Sequence, residues 1–158
     1  MADSELADVE TEFQKHWNLW GSFDYRGAHF IALDSEQCGH TIKKDGHTVQ
    51  VIDGKQLEWL QNDLEANKGA RAIFVFFHTE TTLAPNDEDG QNHLPLGNSA
   101  ELQALFEKYP VKAVFQGHEH LYYATAINGI QYFVAGGSGA PFYAPPNNGG
   151  FSHYLVVE

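Results

Sequence analysis

Two short runs, "RAIFVFF" at residues 71–77 and "VKAVFQ" at residues 111–116, are apolar at nearly every position and rich in Phe, Ile and Val. They are too short for helices, and segments apolar on both faces belong to strands inside a sheet. Both runs end in histidine: His78 directly follows the first, and Gly117-His118-Glu119-His120 follows the second. Ligands of open α/β sheets gather outside the carboxyl ends of the strands. The chain is therefore predicted to be an α/β protein with imidazoles at its binding edge.

The rest of the pattern supplies helices and further strands. Leu6, Val9, Phe13 and Trp17 recur at helical spacing and predict an amphipathic helix over residues 3–16. "GSFDYRGAHFIALDS" predicts a hairpin of residues 22–25 and 29–33 about Arg26-Gly27, and "KDGH" a second hairpin with an Asp-Gly turn. Asp53 with Gln56 forms a capping-box-like start for a helix carrying Leu57, Leu60 and Leu64, ending near Asn67-Lys68-Gly69. Asn98 with Glu101 similarly caps a helix carrying Leu102, Leu105 and Phe106, stopped by Pro110. "YYATAI", "IQYFVA" and "FSHYLVVE" read as three more strands, the first two joined by Asn128-Gly129. No repeat divides the chain, so residues 1–158 are expected to form one domain.

Charge narrows the partners. Twenty-one acidic against 9 basic side chains give a formal net charge of −12, which argues against nucleic acid or an anionic membrane surface as a partner. The single Cys38 excludes an intrachain disulfide. No run is apolar and long enough to span a bilayer. "MADSELADVE" has neither a basic nor an apolar segment of a leader, so the chain as written is expected to be soluble and cytoplasmic.

Histidines at i and i+2 project to one side of an extended chain, so His118 and His120 can reach one centre. His78 at the neighbouring strand end makes a third neutral imidazole, a ligand set for zinc with an open position. Alternatively each is a strand-end histidine hydrogen-bonded to backbone. Asp45-Gly46-His47 fits a turn better than a metal motif, and "NDEDG" lacks the EF-hand spacing. "GGSGAP" is followed by neither the lysine nor the helix of a phosphate cradle. His16, His29 and His153 read as structural or surface residues.

"GHEH" resembles the G-H-x-H signature of calcineurin-like metallophosphoesterases, including the purple acid phosphatase branch. "FFHTE" sits where that family carries a strand-end H-x-P histidine, with Glu80 in place of the proline. "SFDYRGAHFIALDS", "QLEWLQNDL" and "NGIQYFVAGGSGAPFY" are similar to its intervening segments. The resemblance implies mixed β-sheet layers with flanking helices, as in the C-terminal half of an αββα sandwich. The D-x-H, G-D-x-x-D and G-N-H-D/E motifs of the N-terminal half have no counterpart here; only Asn92-His93 echoes the last.

What the resemblance implies is a metal-dependent phosphoester hydrolase. By the resemblance His78 and His118 would serve one metal of a two-metal centre and His120 the other; with the N-terminal motifs missing, one tightly held divalent ion is expected on His78, His118 and His120, zinc ahead of iron or manganese, with Glu80, Glu119 or His93 as the acid/base groups. The substrate would be a small phosphate ester. The alternative is a truncated, catalytically weak or silent metal-binding module. Half a sandwich leaves apolar sheet surface to be covered, so self-association or a complementing chain is expected.

Overall fold

The computed structural model describes residues 11–15, 18–84, 94–137 and 139–158. The helix expected over residues 3–16 lies largely outside these; residues 11–14 are helical. Asn92 and His93 fall outside the described residues.

A six-stranded mixed sheet runs in the order β1-β2-β5-β6-β8-β7. Its strands are β1 (Gly21–Tyr25), β2 (Ala28–Ala32), β5 (Ala72–Phe76), β6 (Val111–Gln116), β7 (Tyr122–Ile127) and β8 (Ile130–Ala135). β3 (Thr41–Lys44) and β4 (His47–Gln50) form a separate two-stranded hairpin. β2, β5, β6 and β8 are parallel, while β1 and β7 pair antiparallel at the two edges. The apolar runs thus form the sheet's interior, as parallel strands require.

The three hairpins turn where the sequence places them. Arg26-Gly27, Asp45-Gly46 and Asn128-Gly129 all have positive φ at both residues, the geometry whose twist matches the flanking strands.

α1 (Gly54–Ala66) and α2 (Ser99–Phe106) pack on the same face of the sheet. Ile31, Ile73, Val75 and Val114 meet Leu60 and Leu64 of α1 and Leu102 and Phe106 of α2, all fully buried. Each such side chain contributes about 1.5–3 kcal/mol relative to exposure. Tyr132 is buried with them, and burial together with the charge of Glu107 pushes its hydroxyl pKa up to about 12.

Both helix starts differ from the expected capping. Asp53 and Asn98 occupy the N-cap positions, but neither makes a side-chain cap hydrogen bond. Asp53 instead accepts from His40 Nδ1. Asn98 Nδ2 donates to Ile52 O (2.8 Å), and its Oδ1 accepts from Ile52 N (3.3 Å). Gln56 does the same for Asp34, donating to its carbonyl at 2.8 Å and accepting its N–H at 2.7 Å. These amides satisfy buried backbone groups that no strand reaches.

"FSHYLVVE" is not a strand: residues 152–158 have no regular structure, with Tyr154, Val156 and Val157 86%, 70% and 60% exposed. A strand needs an edge to pair with, and no described sheet edge takes this segment. No helix among the described residues is long and apolar enough to cross a membrane.

Candidate metal centre

Three neighbouring parallel strands deliver chemistry to one edge of the sheet. The chain leaves β2 through Leu33-Asp34-Ser35-Glu36, β5 through Phe77-His78, and β6 through Gly117-His118. Because β2, β5 and β6 run parallel and in that order, these exits lie side by side. One ligand atom from each of Glu36, His78 and His118 lies within 4.8 Å of the other two.

The imidazoles meet edge to face, ring centroids 5.3 Å apart at 89°, with His118 Nδ1 3.4 Å from His78 Nε2. Two nitrogens bound at about 2.0–2.1 Å to one tetrahedral ion stand about 3.3–3.4 Å apart. The pair therefore has the spacing of two ligands of a single ion, and a carboxylate is the third donor. His78 is exposed and Glu36 and His118 half-buried, which leaves solvent-facing positions for a further ligand.

The surrounding groups fix these three side chains. Ser35 Oγ accepts the backbone N–H groups of His78 (3.1 Å) and Thr79 (2.7 Å), tying the end of β2 to that of β5. Thr79 Oγ1 donates to Glu36 Oε1, and Glu36 N donates to Asp34 Oδ1 at 2.9 Å. Gly117 N donates to His78 O at 2.9 Å. A Cβ at Gly117 would stand 3.2 Å from His78 Nδ1, so the glycine leaves room for that ring. Such outer partners orient metal ligands.

His120 is placed elsewhere. The same-side argument needs extended backbone, and His118 has φ +64°, which turns the chain between the two imidazoles. His120 Nδ1 donates to Pro141 O at 2.9 Å, its ring stacks on Tyr143 at 4.1 Å, and Tyr143 Oη lies 3.4 Å from its Nε2. Gly136 is required beneath this turn, since a Cβ there would fall 2.1 Å from Glu119 O. Glu119 is buried and accepts the Ala84 N–H at 3.1 Å, and Glu80 is fully buried.

Glu36 is the ligand candidate the sequence reading missed. The available signal was the register of β2: a strand parallel to β5 must end at the same edge. As one arm of a hairpin, residues 29–33 say nothing about that edge, and Glu36 lies beyond them.

A mixed sheet with both helices on one face is a fold the chain shares with part of solved phosphatases. The structure matches a dimetal phosphatase from Danio rerio over 93% of this chain and 59% of that one (TM-score 0.61, 14% identity). It matches the purple acid phosphatase PPD1 of yellow lupin (Lupinus luteus) over 80% of this chain and 24% of that one (TM-score 0.58, 21% identity). GAP50, the anchor in the inner membrane complex of Plasmodium, has the same fold over 80% of this chain and 39% of its own (TM-score 0.54, 18% identity). In sequence, two uncharacterized proteins of Mycobacterium tuberculosis are 30% identical over 105 residues, 66% of this chain. The chain spans 20% of the length of these relatives. No protein-family profile matches the sequence.

Proposed function

We propose that the chain carries a metal-dependent phosphoester hydrolase site in which Glu36, His78 and His118 hold one divalent ion. The observation that carries this reading is the 3.4 Å approach of the two imidazole nitrogens with Glu36 in reach of both. Two imidazoles, one carboxylate and an open position form a donor set that zinc takes in hydrolytic sites and that iron takes as well, and zinc is the ion tested first. A bound ion supplies Lewis acidity towards a phosphoryl oxygen and lowers the pKa of water. It also provides local positive charge on a chain of net charge −12.

The protein's own groups bind and orient. Ser35 and Thr79 keep Glu36 and His78 in place, and Gly117 keeps space beside His78. His120, stacked on Tyr143, is a neighbouring polar group on the same turn, suited to orient a phosphate ester rather than to complete this ligand set. Glu80 and Glu119 are buried, so an acid/base role for either requires the turn to open; His93 remains a candidate from sequence.

Likeness to GAP50 supports a second reading, in which the fold serves as a binding module without turnover, because a fold does not fix a function. Equilibrium dialysis with zinc and hydrolysis of p-nitrophenyl phosphate separate the two. About one zinc per chain, with turnover above that of free zinc and both lost in His118→Ala and Glu36→Gln, is the result expected. Zinc bound without turnover establishes the module reading, and no zinc bound overturns both.

A further inference from the structure

A cavity of about 550 Å³ lies against α1 and includes none of the three residues of the metal cluster. Three segments supply its walls: Asn18, Leu19 and Trp20 leading into β1, Gln37 directly after Glu36, and Lys55 and Trp59 of α1. Gly21 pairs with Ala32 at the end of β2, so Trp20 stands at the sheet edge where β2 releases Glu36 and Gln37. Lys55 and Trp59 are four residues apart and share one helix face. A space of this size suits an organic ligand, whose sites run from about 300 to 1,000 Å³, rather than a lone inorganic ion.

The lining is chemically one-sided. Two indoles offer apolar faces and an N–H each, Lys55 offers an ammonium, and Asn18 and Gln37 offer amides, so donors outnumber acceptors. Among the described residues the lining holds no carboxylate, in a chain of net charge −12. No side-chain hydrogen bond or ion pair engages Asn18, Trp20, Gln37, Lys55 or Trp59 among the described residues, whereas the amides of Gln56 and Asn98 nearby are spent on backbone groups. Trp20, Gln37 and Trp59 are half-buried, and Trp59 also packs against the core.

We infer that this cavity binds a ring compound carrying an anionic oxygen group. An indole takes the face of the ring, as aromatic side chains do for flat ligands. Lys55, with no carboxylate beside it in the lining, takes the anion. The amides, each both donor and acceptor, take hydroxyl or carbonyl groups on the ring. An aromatic acid and a sugar acid share this chemistry, and separate titrations tell them apart.

Water alone would satisfy the polar groups, but it gains nothing from two indoles and Leu19 left in contact with it. Removing those apolar faces from water is the gain that a bound ring supplies. Lys55 is exposed, so its attraction for the anion is screened by salt and is strongest in dilute buffer. The inference needs neither a metal ion nor turnover.

Isothermal titration calorimetry of the chain in dilute buffer with EDTA tests it, using 1-naphthoate and, separately, glucuronate. Expected is about one molecule of either acid per chain with a dissociation constant under about 1 mM, and at least about ten-fold weaker binding of its uncharged counterpart, 1-naphthamide or glucose. Lys55→Gln and Trp20→Ala should each weaken the acid by about ten-fold or more, while Lys68→Gln and Glu36→Gln leave it within about two-fold. Lys68 is an exposed lysine just past the other end of α1, paired with Glu65. Because Lys55 is exposed, Lys55→Gln should keep cooperative thermal unfolding and decides the matter if Trp20→Ala unfolds. Binding of neither acid below about 10 mM, equal binding of the uncharged counterpart, or affinity unchanged in Lys55→Gln overturns the inference. Affinity lost in Glu36→Gln overturns it as well, because the acid would then belong to the metal cluster.

Discussion

His29 and the His78–His118 pair belong to the same sheet and do opposite things with the same side chain. His29 is 2% exposed, and both its ring nitrogens point at carboxylates: Nδ1 at Asp24 Oδ1 and Nε2 at Asp63 Oδ2, each at 2.8 Å. Ionised carboxylates only accept, so both hydrogen bonds are made only when the ring carries both protons. Burial works against that charge, but the hydrogen bonds and charges of Asp63 and Asp24 outweigh it and raise the pKa above 6.5. At the strand ends, by contrast, two ring nitrogens point at each other with one carboxylate nearby. The first arrangement has no lone pair left for a metal; the second brings two imidazole nitrogens and a carboxylate oxygen within 4.8 Å of one another, close enough to share one ion. Position along a strand decides which occurs. His29 lies mid-strand, opposite Asp24 of β1 and beneath α1, whereas His78 and His118 lie past their strands, where side chains from several strands converge.

The largest effects should divide these two roles cleanly. His29→Ala strips a partner from the largely buried Asp63, which also accepts Ser22 Oγ at 2.9 Å, and leaves its charge poorly compensated. The expected cost is about 3 kcal/mol in urea unfolding, with zinc binding unchanged. His118→Ala should lower zinc affinity by about 100-fold or more while costing under about 1 kcal/mol, because its ring is partly solvated. Loss of zinc in the first variant, or a large loss of stability in the second, would break the distinction.

A smaller effect follows from protonation. The folded pKa of His29 is raised, so its contribution is complete below the unfolded value near 6.5 and is lost as pH rises through the folded value. Asp24 on β1 and Asp63 on α1 are the charged groups facing it. The stability difference between wild type and His29→Ala should therefore be larger at about pH 6 than at about pH 9. A difference that grows with pH would show that the ring is neutral in the folded protein.

Much of this was legible in the sequence, and the misses share a cause. Turn glycines, apolar runs and strand-end histidines act locally, so the three hairpins, the central strands and the His78–His118 pair could be placed from residue order alone. Asp53, Gln56 and Asn98 look like caps, but their side chains were taken by His40, Asp34 and Ile52, distant residues that offered better partners. Glu36 was hidden because its importance comes from the parallel pairing of β2 with β5, which no local pattern encodes. The same-side argument for His118 and His120 assumed an extended chain, which the positive φ of His118 removes; the family resemblance had already set His120 apart from the His78–His118 pair. Residues 151–158 alternate like a strand and found no edge.

The smallest expected effect tests how finely the histidine pair is set. Gly117 has no side chain where His78 needs room: an added Cβ would stand 3.2 Å from His78 Nδ1, closer than comfortable van der Waals contact. Its φ is not in the left-handed region, so Gly117→Ala carries no backbone strain of that kind. The change acts through the ring alone. His78 is exposed and can swing aside at little cost to stability, but doing so moves Nε2 from its 3.4 Å approach to His118 Nδ1. Positioning contacts around a metal typically account for about 10- to 100-fold in affinity, and a shift of a few tenths of an ångström belongs at the lower end. Gly117→Ala should therefore weaken zinc by about ten-fold, with the urea midpoint within error of wild type. Restoring space with Gly117→Ala/His78→Asn should not restore affinity, because the loss then lies in the ligand itself. Unchanged affinity in the single variant would mean that the histidine pair tolerates displacement and that its present spacing is not what selects the ion.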